Sequence, residues 1–69
     1  MRLSTRNQLS GTVTAIEVGA VMTTVKVDVG GQIVTAAVTR ESVEELGLAV
    51  GSAVVCLVKS TEVMLGVED

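Results

Sequence analysis

The chain has 69 residues and a formal net charge of −3, and nearly half of its residues are apolar. One cysteine and no histidine or aromatic residue exclude an internal disulfide, a histidine-based active site and a zinc or iron site built from soft ligands. The acidic balance and the missing aromatic platforms disfavour nucleic acid as a partner, and no apolar run is long enough to span a membrane.

So short a chain buries a modest share of its surface and is only marginally stable alone. With no disulfide or metal to support it, oligomerisation is the remaining means of hiding its apolar content. We therefore expect one domain over residues 1–69 that assembles with further copies of itself. The lone Cys56 and the lack of an apolar N-terminal leader favour the cytoplasm, and Cys56 is expected to be a small buried hydrophobe in a strand.

The first half of the chain predicts three strands. Residues 7–18 are expected to form a strand with two weakly distinguished faces, one with Leu9, Gly11, Val13 and Ala15 and the other with Thr12, Thr14, Ile16 and Val18. After a turn at Gly19-Ala20, residues 21–29 alternate valine with polar positions more regularly than any other stretch, which predicts the second strand. Gly30-Gly31 predicts a hairpin turn, and residues 32–38 return as the third strand, with Ile33 and the Ala36-Ala37-Val38 run inside.

The second half begins with a short helix over residues 39–47. Either Thr39 or Ser42 can cap it, since Ser42 and Glu45 have the spacing of a capping box, and Gly47 is suited to end it. After a turn at Gly51-Ser52, residues 53–59 predict a strand that is apolar on both faces, and therefore central or at an interface, and residues 62–67 predict a last short strand. This order predicts an all-β protein with one short helix, a small OB-like Greek-key β-barrel.

Two polar clusters interrupt the apolar pattern, Ser4-Thr5-Arg6-Asn7-Gln8 near one end and Lys59-Ser60-Thr61 near the other. The first contains no acid, and its hydroxyl, amide and guanidinium groups are rich in hydrogen-bond donors. Arg6 presents a rigid fork of donors that suits a tetrahedral oxyanion. If the clusters converge, within one chain or between chains, they predict a site for a small anion. From the residues alone, a solvated edge with Arg6 paired to a surface glutamate is an equally good reading.

Catalytic and phosphate-loop chemistry have little support. The carboxylates are scattered along the chain, and the neighbouring Glu44 and Glu45 would point to different sides of a helix. Cys56 has no base partner. Gly30-Gly31 joins two strands and matches neither phosphate-loop spacing. We therefore predict that the protein is not an enzyme.

The two clusters carry a resemblance to a known family. The stretch Ser4-Thr5-Arg6-Asn7-Gln8-Leu9-x-Gly11 resembles the Ser-Ala-Arg-Asn-Gln-x-x-Gly opening of the molbindins, and the likeness continues over residues 42–47 and 58–64. It covers essentially the whole chain, as a single Mop/TOBE domain over residues 1–69. The resemblance implies an OB-like barrel that assembles as a homo-hexamer, a trimer of dimers, and binds molybdate or tungstate for storage and homeostasis of molybdenum. The alternative is an oxyanion-sensing module that docks on a regulator or a transporter ATPase.

The resemblance also implies the site residues. By position, the main site takes Ser4, Thr5 and Arg6 from one chain and Lys59 and Ser60 from a partner, with Thr39 nearby. A second class of site maps onto the turn Gly19-Ala20-Val21. In both, hydrogen bonds would hold the oxyanion and no side chain would ligate the metal. Thr5 stands where alanine is common in the family and adds a hydroxyl.

Overall fold

The computed structural model describes all 69 residues. Its elements are β1 (Asn7–Val18), β2 (Met22–Val29), β3 (Gln32–Thr39), α1 (Arg40–Leu46), β4 (Ala53–Val58) and a 3-10 turn (Ser60–Glu62). The strands form one antiparallel sheet in the order β3-β2-β1-β4. Since β4 returns over a long connection to lie beside β1, the order is that of a Greek key, and the prediction of a mostly β chain with one short helix is confirmed.

The sheet does not close into a barrel within one chain, because β3 and β4 remain its two edges. The expectation that the doubly apolar β4 is central is therefore wrong, whereas its alternative, an interface strand, fits an edge. One face of β4 packs towards the core through Val54 and Cys56, and the other exposes Val55 and Leu57.

The long strand β1 serves two partners in succession. Its first half pairs with β4 and its second half with β2, and Thr12 lies opposite a residue of each. Gly11 sits where the strand changes partners: a Cβ atom at this position would lie 2.5 Å from the Asp28 carbonyl oxygen. Only a glycine permits so close an approach of two strands.

A β-bulge changes the faces of β1. The pairing shifts between Val13 and Ala15, which leaves Thr14 as the extra residue. Beyond the bulge Ile16 lies opposite Val25 and packs against the core, on the same side as Val13. The prediction that Ile16 and Val13 face opposite sides is therefore wrong, because it assumed an uninterrupted two-residue period.

The faces of the central hairpin are clearer. Thr23, Val25 and Val27 of β2 are buried, as their alternation predicts. On β3 the inner positions are Val34, Ala36 and Val38, all half-buried, whereas Ile33 is exposed. The prediction that Ile33 and Ala37 lie inside is wrong, because strict alternation in β3 puts both on the outer face with Thr35.

Helix α1 is fixed at both ends by its own sequence. Of the two predicted caps, Thr39 is the one used: its Oγ1 accepts a hydrogen bond from the Ser42 N–H at 3.0 Å. At the other end Gly47 adopts a left-handed conformation with φ 62°, and Leu48 N–H donates to the Val43 carbonyl, which is the Schellman arrangement. Val43 is the buried residue of the helix.

The predicted last strand over residues 62–67 is wrong. The chain after β4 forms the 3-10 turn, in which Glu62 N–H donates to the Lys59 carbonyl at 2.9 Å, and residues 63–69 pair with no strand of the same chain. The alternation of this segment is strand-like, but the chain itself offers it no partner.

The core is small for the apolar content. Only five residues are buried, and four of them are the valines of the core, Val13, Val25, Val27 and Val43. The chain exposes 5464 Å² of surface, whereas a compact monomer of its mass exposes about 4,100 Å². The excess indicates surface that a partner covers. No helix has the length and apolarity needed to cross a membrane.

Candidate functional site

The two polar clusters meet at one end of the sheet within a single chain. Asn7 begins β1 directly opposite Val58, the last residue of β4, and the Asn7 side-chain amide donates to the Val58 carbonyl at 3.0 Å. Arg6 precedes Asn7 and Lys59 follows Val58, so the two cationic residues occupy adjacent strand ends. We call Ser4, Thr5, Arg6, Lys59 and Ser60 the donor end.

The first cluster divides into positioning residues and free donors. Asn7 holds β1 against β4, and the Gln8 side-chain amide donates to the Thr5 carbonyl at 2.8 Å, which fixes the segment before the strand. The sequence alone did not separate these amides from the other donors of the cluster. Their use on the backbone leaves the Ser4 and Thr5 hydroxyls and the Arg6 guanidinium for a ligand.

The cations of the donor end have no protein partner. The one salt bridge of the chain joins Arg40 and Glu44 at 3.5 Å, and neither Arg6 nor Lys59 donates a side-chain hydrogen bond. The alternative in which Arg6 pairs with a surface glutamate is therefore not seen. Both side chains are exposed, so within one chain their charges are solvated and available.

Backbone donors add to this end. Lys59 is the N-cap residue of the 3-10 turn, and no side chain caps it. The first N–H groups of such a turn have no carbonyl partner inside it, so Ser60 contributes an N–H as well as its hydroxyl. The donor end therefore combines two full positive charges with hydroxyl and backbone donors. None of its five residues is acidic, although Glu62 lies in the same 3-10 turn as Ser60.

The other predicted residues lie at the opposite end of β1. A surface depression of about 490 Å³ there is lined by Ala20, Val21, Thr39, Arg40, Glu41 and Glu44. Arg40 N–H donates to the Val21 carbonyl at 2.9 Å, which ties the start of α1 to the turn after β1. We call this set the acidic end.

Thr39 thus lines the same depression as Ala20 and Val21. The 12 residues of β1 separate this depression from Arg6. Within one chain Thr39 and Arg6 do not meet; only a neighbouring chain can bring Thr39 to the donor end. Arg40, Glu41 and Glu44 were not predicted to lie in this region; of the two glutamates, Glu41 is in the first turn of α1.

Metal-ligating side chains are not gathered anywhere in the structure: no group of three or more His, Cys, Asp or Glu residues comes together. Cys56 is a half-buried free thiol that packs against the core.

Comparisons with known proteins agree on a family. The model of the TOBE domain matches residues 3–65. A probable molybdenum-pterin-binding protein of Haemophilus influenzae is 44% identical over 69 residues, which cover 99% of this chain and 100% of that protein.

Solved structures give the same result for the fold. A molybdate-binding protein from Sporomusa ovata superposes with a TM-score of 0.90 at 42% identity, over 94% of this chain and 97% of that one. The cytoplasmic molybdate-binding protein ModG, in a form with molybdate bound, superposes with a TM-score of 0.92 at 46% identity, over 99% of this chain and 49% of ModG. This chain therefore corresponds to about half of ModG and to the whole of the smaller relatives. The relatives named here are binding proteins.

Proposed function

The chain belongs to the TOBE domain family, and on this premise we propose that it binds molybdate or tungstate at its donor end and stores the oxyanion in the cytoplasm. The observation that carries the proposal is the pair Arg6 and Lys59, which the register of β1 and β4 brings to adjacent strand ends and which no acidic side chain neutralises. In this proposal the protein is a binding protein and catalyses no reaction.

The donor set suits the chemistry of molybdate. This tetrahedral dianion carries no proton at neutral pH, so its four oxygens only accept hydrogen bonds. Arg6, Lys59, the hydroxyls of Ser4, Thr5 and Ser60 and the backbone N–H groups all donate. Hydrogen bonds from cationic donors to an anion are short and roughly twice as strong as neutral ones.

The same donor set discriminates against phosphate. Monohydrogen phosphate brings a proton that needs an acceptor, and the donor end has no carboxylate to supply one. An unpaired donor in a closed site costs about 1–3 kcal/mol. Sulfate has no such proton but is smaller than molybdate, so its rejection requires donors held too far apart for it.

The proposal needs a second chain, because a dianion bound at an exposed surface competes with water and salt. Covering the site from a neighbouring copy would exclude water and would add Thr39 or a second cation from that copy. The excess exposed surface supports such an association, and we propose the homo-hexamer, a trimer of dimers, as the assembly.

The acidic end is the weaker candidate for a second oxyanion site at Gly19-Ala20-Val21. The Gly19 N–H already donates to the Met22 carbonyl at 2.9 Å, and Glu41 and Glu44 line the same depression. Nearby carboxylates oppose the binding of an anion, so occupancy there would depend on donors from neighbouring chains.

The Haemophilus influenzae relative is named for a molybdenum-pterin, whereas the Sporomusa ovata protein is named for molybdate. The donor end favours the simple oxyanion: a pterin is a flat heterocycle, and the chain has no aromatic side chain to stack on it.

Calorimetric titration of the purified, metal-free protein with molybdate, tungstate, sulfate and phosphate tests the proposal, together with elemental analysis of the protein as isolated. We expect molybdate and tungstate to bind at one or more per chain, phosphate and sulfate to bind far more weakly, and molybdenum or tungsten to be found in the isolated protein. Equal affinity for sulfate and molybdate, or no heat with either metal oxyanion, would contradict it.

A further inference from the structure

Asn7 and Val58 form the last pair of β1 and β4 before the donor end. Asn7 is the first residue of β1 and Val58 the last residue of β4, and the register of the two strands begins with this pair. The half-buried Asn7 side chain adds a second connection, since its amide donates to the Val58 carbonyl at 3.0 Å. We call this hydrogen bond the Asn7 clamp. It joins residues 51 positions apart in sequence, directly beside Arg6 and Lys59.

Little else fixes the position of Arg6 relative to Lys59. Lys59 is held by the 3-10 turn, because its carbonyl accepts a backbone N–H of that turn at 2.9 Å. On the other side, residues 1–6 belong to no helix or strand and make no backbone hydrogen bond. The Gln8 amide makes the one side-chain hydrogen bond to this segment, and it does not reach β4. The spacing of the two cations therefore depends on the Asn7 clamp.

We propose that Asn7 determines the size of the oxyanion that the donor end accepts, and that it thereby selects molybdate against sulfate. The inference rests on the proposed function and deepens it. Asn7 is a positioning residue here, because its amide is bonded to Val58 and is not free for the ligand. The ends of paired strands open most easily when their last connection is lost. The clamp holds Arg6 and Lys59 at the wider spacing that suits molybdate, and its loss allows them to close on a smaller anion.

Sulfate, selenate and molybdate separate the effect of size from the effect of charge. All three are tetrahedral dianions without a proton at neutral pH, and they increase in size in that order. A change in the net charge of the protein acts on the three almost equally, whereas a change in the spacing of the donors acts on them unequally. The ratio of their affinities therefore measures the geometry of the site, and a residue that only stabilised the fold would not alter it.

Calorimetric titration of the full-length native protein and of Asn7→Ala tests the proposal, with molybdate added directly and sulfate and selenate measured by competition. The native affinity should rise from sulfate through selenate to molybdate. Asn7→Ala should lower molybdate affinity about tenfold and leave sulfate affinity within about twofold, because only the larger anion gains from the fixed spacing. Asn7→Asp keeps the size of the side chain but puts an acceptor against the Val58 carbonyl. Its added charge weakens all three anions alike, and its preference for molybdate should fall as in Asn7→Ala.

Gln8→Ala and Ser10→Ala are the matched controls. Gln8→Ala removes a hydrogen bond that lies within the first segment, so we expect equal losses of affinity for the three anions and an unchanged preference. Ser10 is exposed, lies opposite Val55 on the same pair of strands and makes no side-chain hydrogen bond. Ser10→Ala should leave both the affinities and the preference unchanged.

An unchanged ratio of molybdate to sulfate affinity in Asn7→Ala would overturn the proposal, as would an equal fall of that ratio in Gln8→Ala. Asn7→Asp supplies the same comparison if Asn7→Ala does not fold by circular dichroism. If neither Asn7 variant folds, the proposal is also overturned, because Asn7 is then a requirement of the fold itself. Native protein that prefers molybdate, with variants that keep this preference, refutes this inference alone. Native protein that binds no metal oxyanion refutes the proposed function, and this inference with it.

Discussion

Cationic and hydroxyl side chains lie at both ends of β1, but their charges are unpaired at the donor end and paired at the acidic end. At the donor end neither Arg6 nor Lys59 forms a salt bridge, although Glu62 lies in the adjoining 3-10 turn, whereas at the acidic end Arg40 is paired with Glu44 at 3.5 Å and Glu41 lines the same depression. Hydroxyls differ in the same way: the Thr39 oxygen is occupied in capping α1, whereas the hydroxyls of Ser4 and Thr5 make no hydrogen bond within the chain. The donor end therefore differs from an ordinary polar surface in the availability of its donors, more than in their number.

Substitution of Arg6 and of Arg40 tests the difference between the donor end and the acidic end most directly. In the proposed site, the Arg6 guanidinium donates two charge-assisted hydrogen bonds to the oxyanion. We therefore expect Arg6→Ala to lower molybdate affinity about 100-fold or more, which corresponds to about 3 kcal/mol. Arg6→Lys should recover only part of this loss, because an ammonium cannot replace the planar fork. Calorimetric titration of both variants measures the effect.

Arg40→Ala is the matched control. Its surface ion pair with Glu44 contributes little to stability, and its charge is already partnered, so we expect molybdate affinity within about twofold of the native protein. If Arg40→Ala weakens binding as much as Arg6→Ala, the distinction between the two ends is wrong.

The next largest effect is expected on stability, at Gly11, where β1 passes from one partner strand to the other. Gly11→Ala places a Cβ atom against the Asp28 carbonyl oxygen, which is backbone and cannot rotate away, so the strands must shift at a cost of about 2 kcal/mol. Thermal unfolding should show the loss as a lower Tm. Gly66→Ala, where an added Cβ meets nothing within 4 Å, should leave Tm unchanged, and an equal loss there would contradict the steric explanation.

The structural role of Gly11 could not be predicted from the sequence. The glycine was visible as part of a motif, but its reason is the close passage of β1 over β2 at the point where β1 leaves β4, and that passage is a tertiary feature. The bulge at Thr14 is equally hidden, since one extra residue reverses every later face without altering the composition of the strand. Local signals with a local cause were predicted: the Gly30-Gly31 turn, the left-handed Gly47, and the valine face of β2 are all confirmed.

The donor end was predicted in part for the same reason. Residue type and order were enough to single out Arg6 and Lys59, because unpaired donors without acids are uncommon in a short acidic chain. Arg6 and Lys59 lie close together within one chain because Asn7 pairs with Val58. These two residues are far apart in sequence, and the alternation of apolar and polar residues does not determine which strands pair. Residues 62–67 were expected to form a strand because their pattern is strand-like, yet the single chain provides no strand beside them.

Lys59 is the second cation of the donor end, and its substitution tests how much the end of β4 contributes to molybdate affinity. In the proposed site, the Lys59 ammonium makes a single, solvated contact with the oxyanion and the Arg6 guanidinium makes two. We therefore expect Lys59→Ala to reduce molybdate affinity about tenfold. Lys26→Ala is its control: that ammonium donates to the Thr35 hydroxyl at 3.0 Å on the outer face of the sheet, and its loss should leave affinity unaltered. Titration at two salt concentrations separates a direct contact from general electrostatics, since a loss common to both lysines and abolished by salt would point to net charge alone.

The smallest expected effect lies at the acidic end, and it decides the role of Thr39. Its Oγ1 accepts the Ser42 N–H at 3.0 Å, so Thr39→Ala should lower the free energy of unfolding by about 1 kcal/mol while Thr39→Ser, which keeps the cap, should lower it much less. Because β1 separates Thr39 from Arg6 within a chain, a residue that only caps α1 leaves molybdate affinity per folded protein unchanged. If Thr39→Ala also weakens binding, and Thr39→Ser restores both properties, then Thr39 of a neighbouring copy reaches the donor end, and the two regions that are separate in one chain form one site in the assembly.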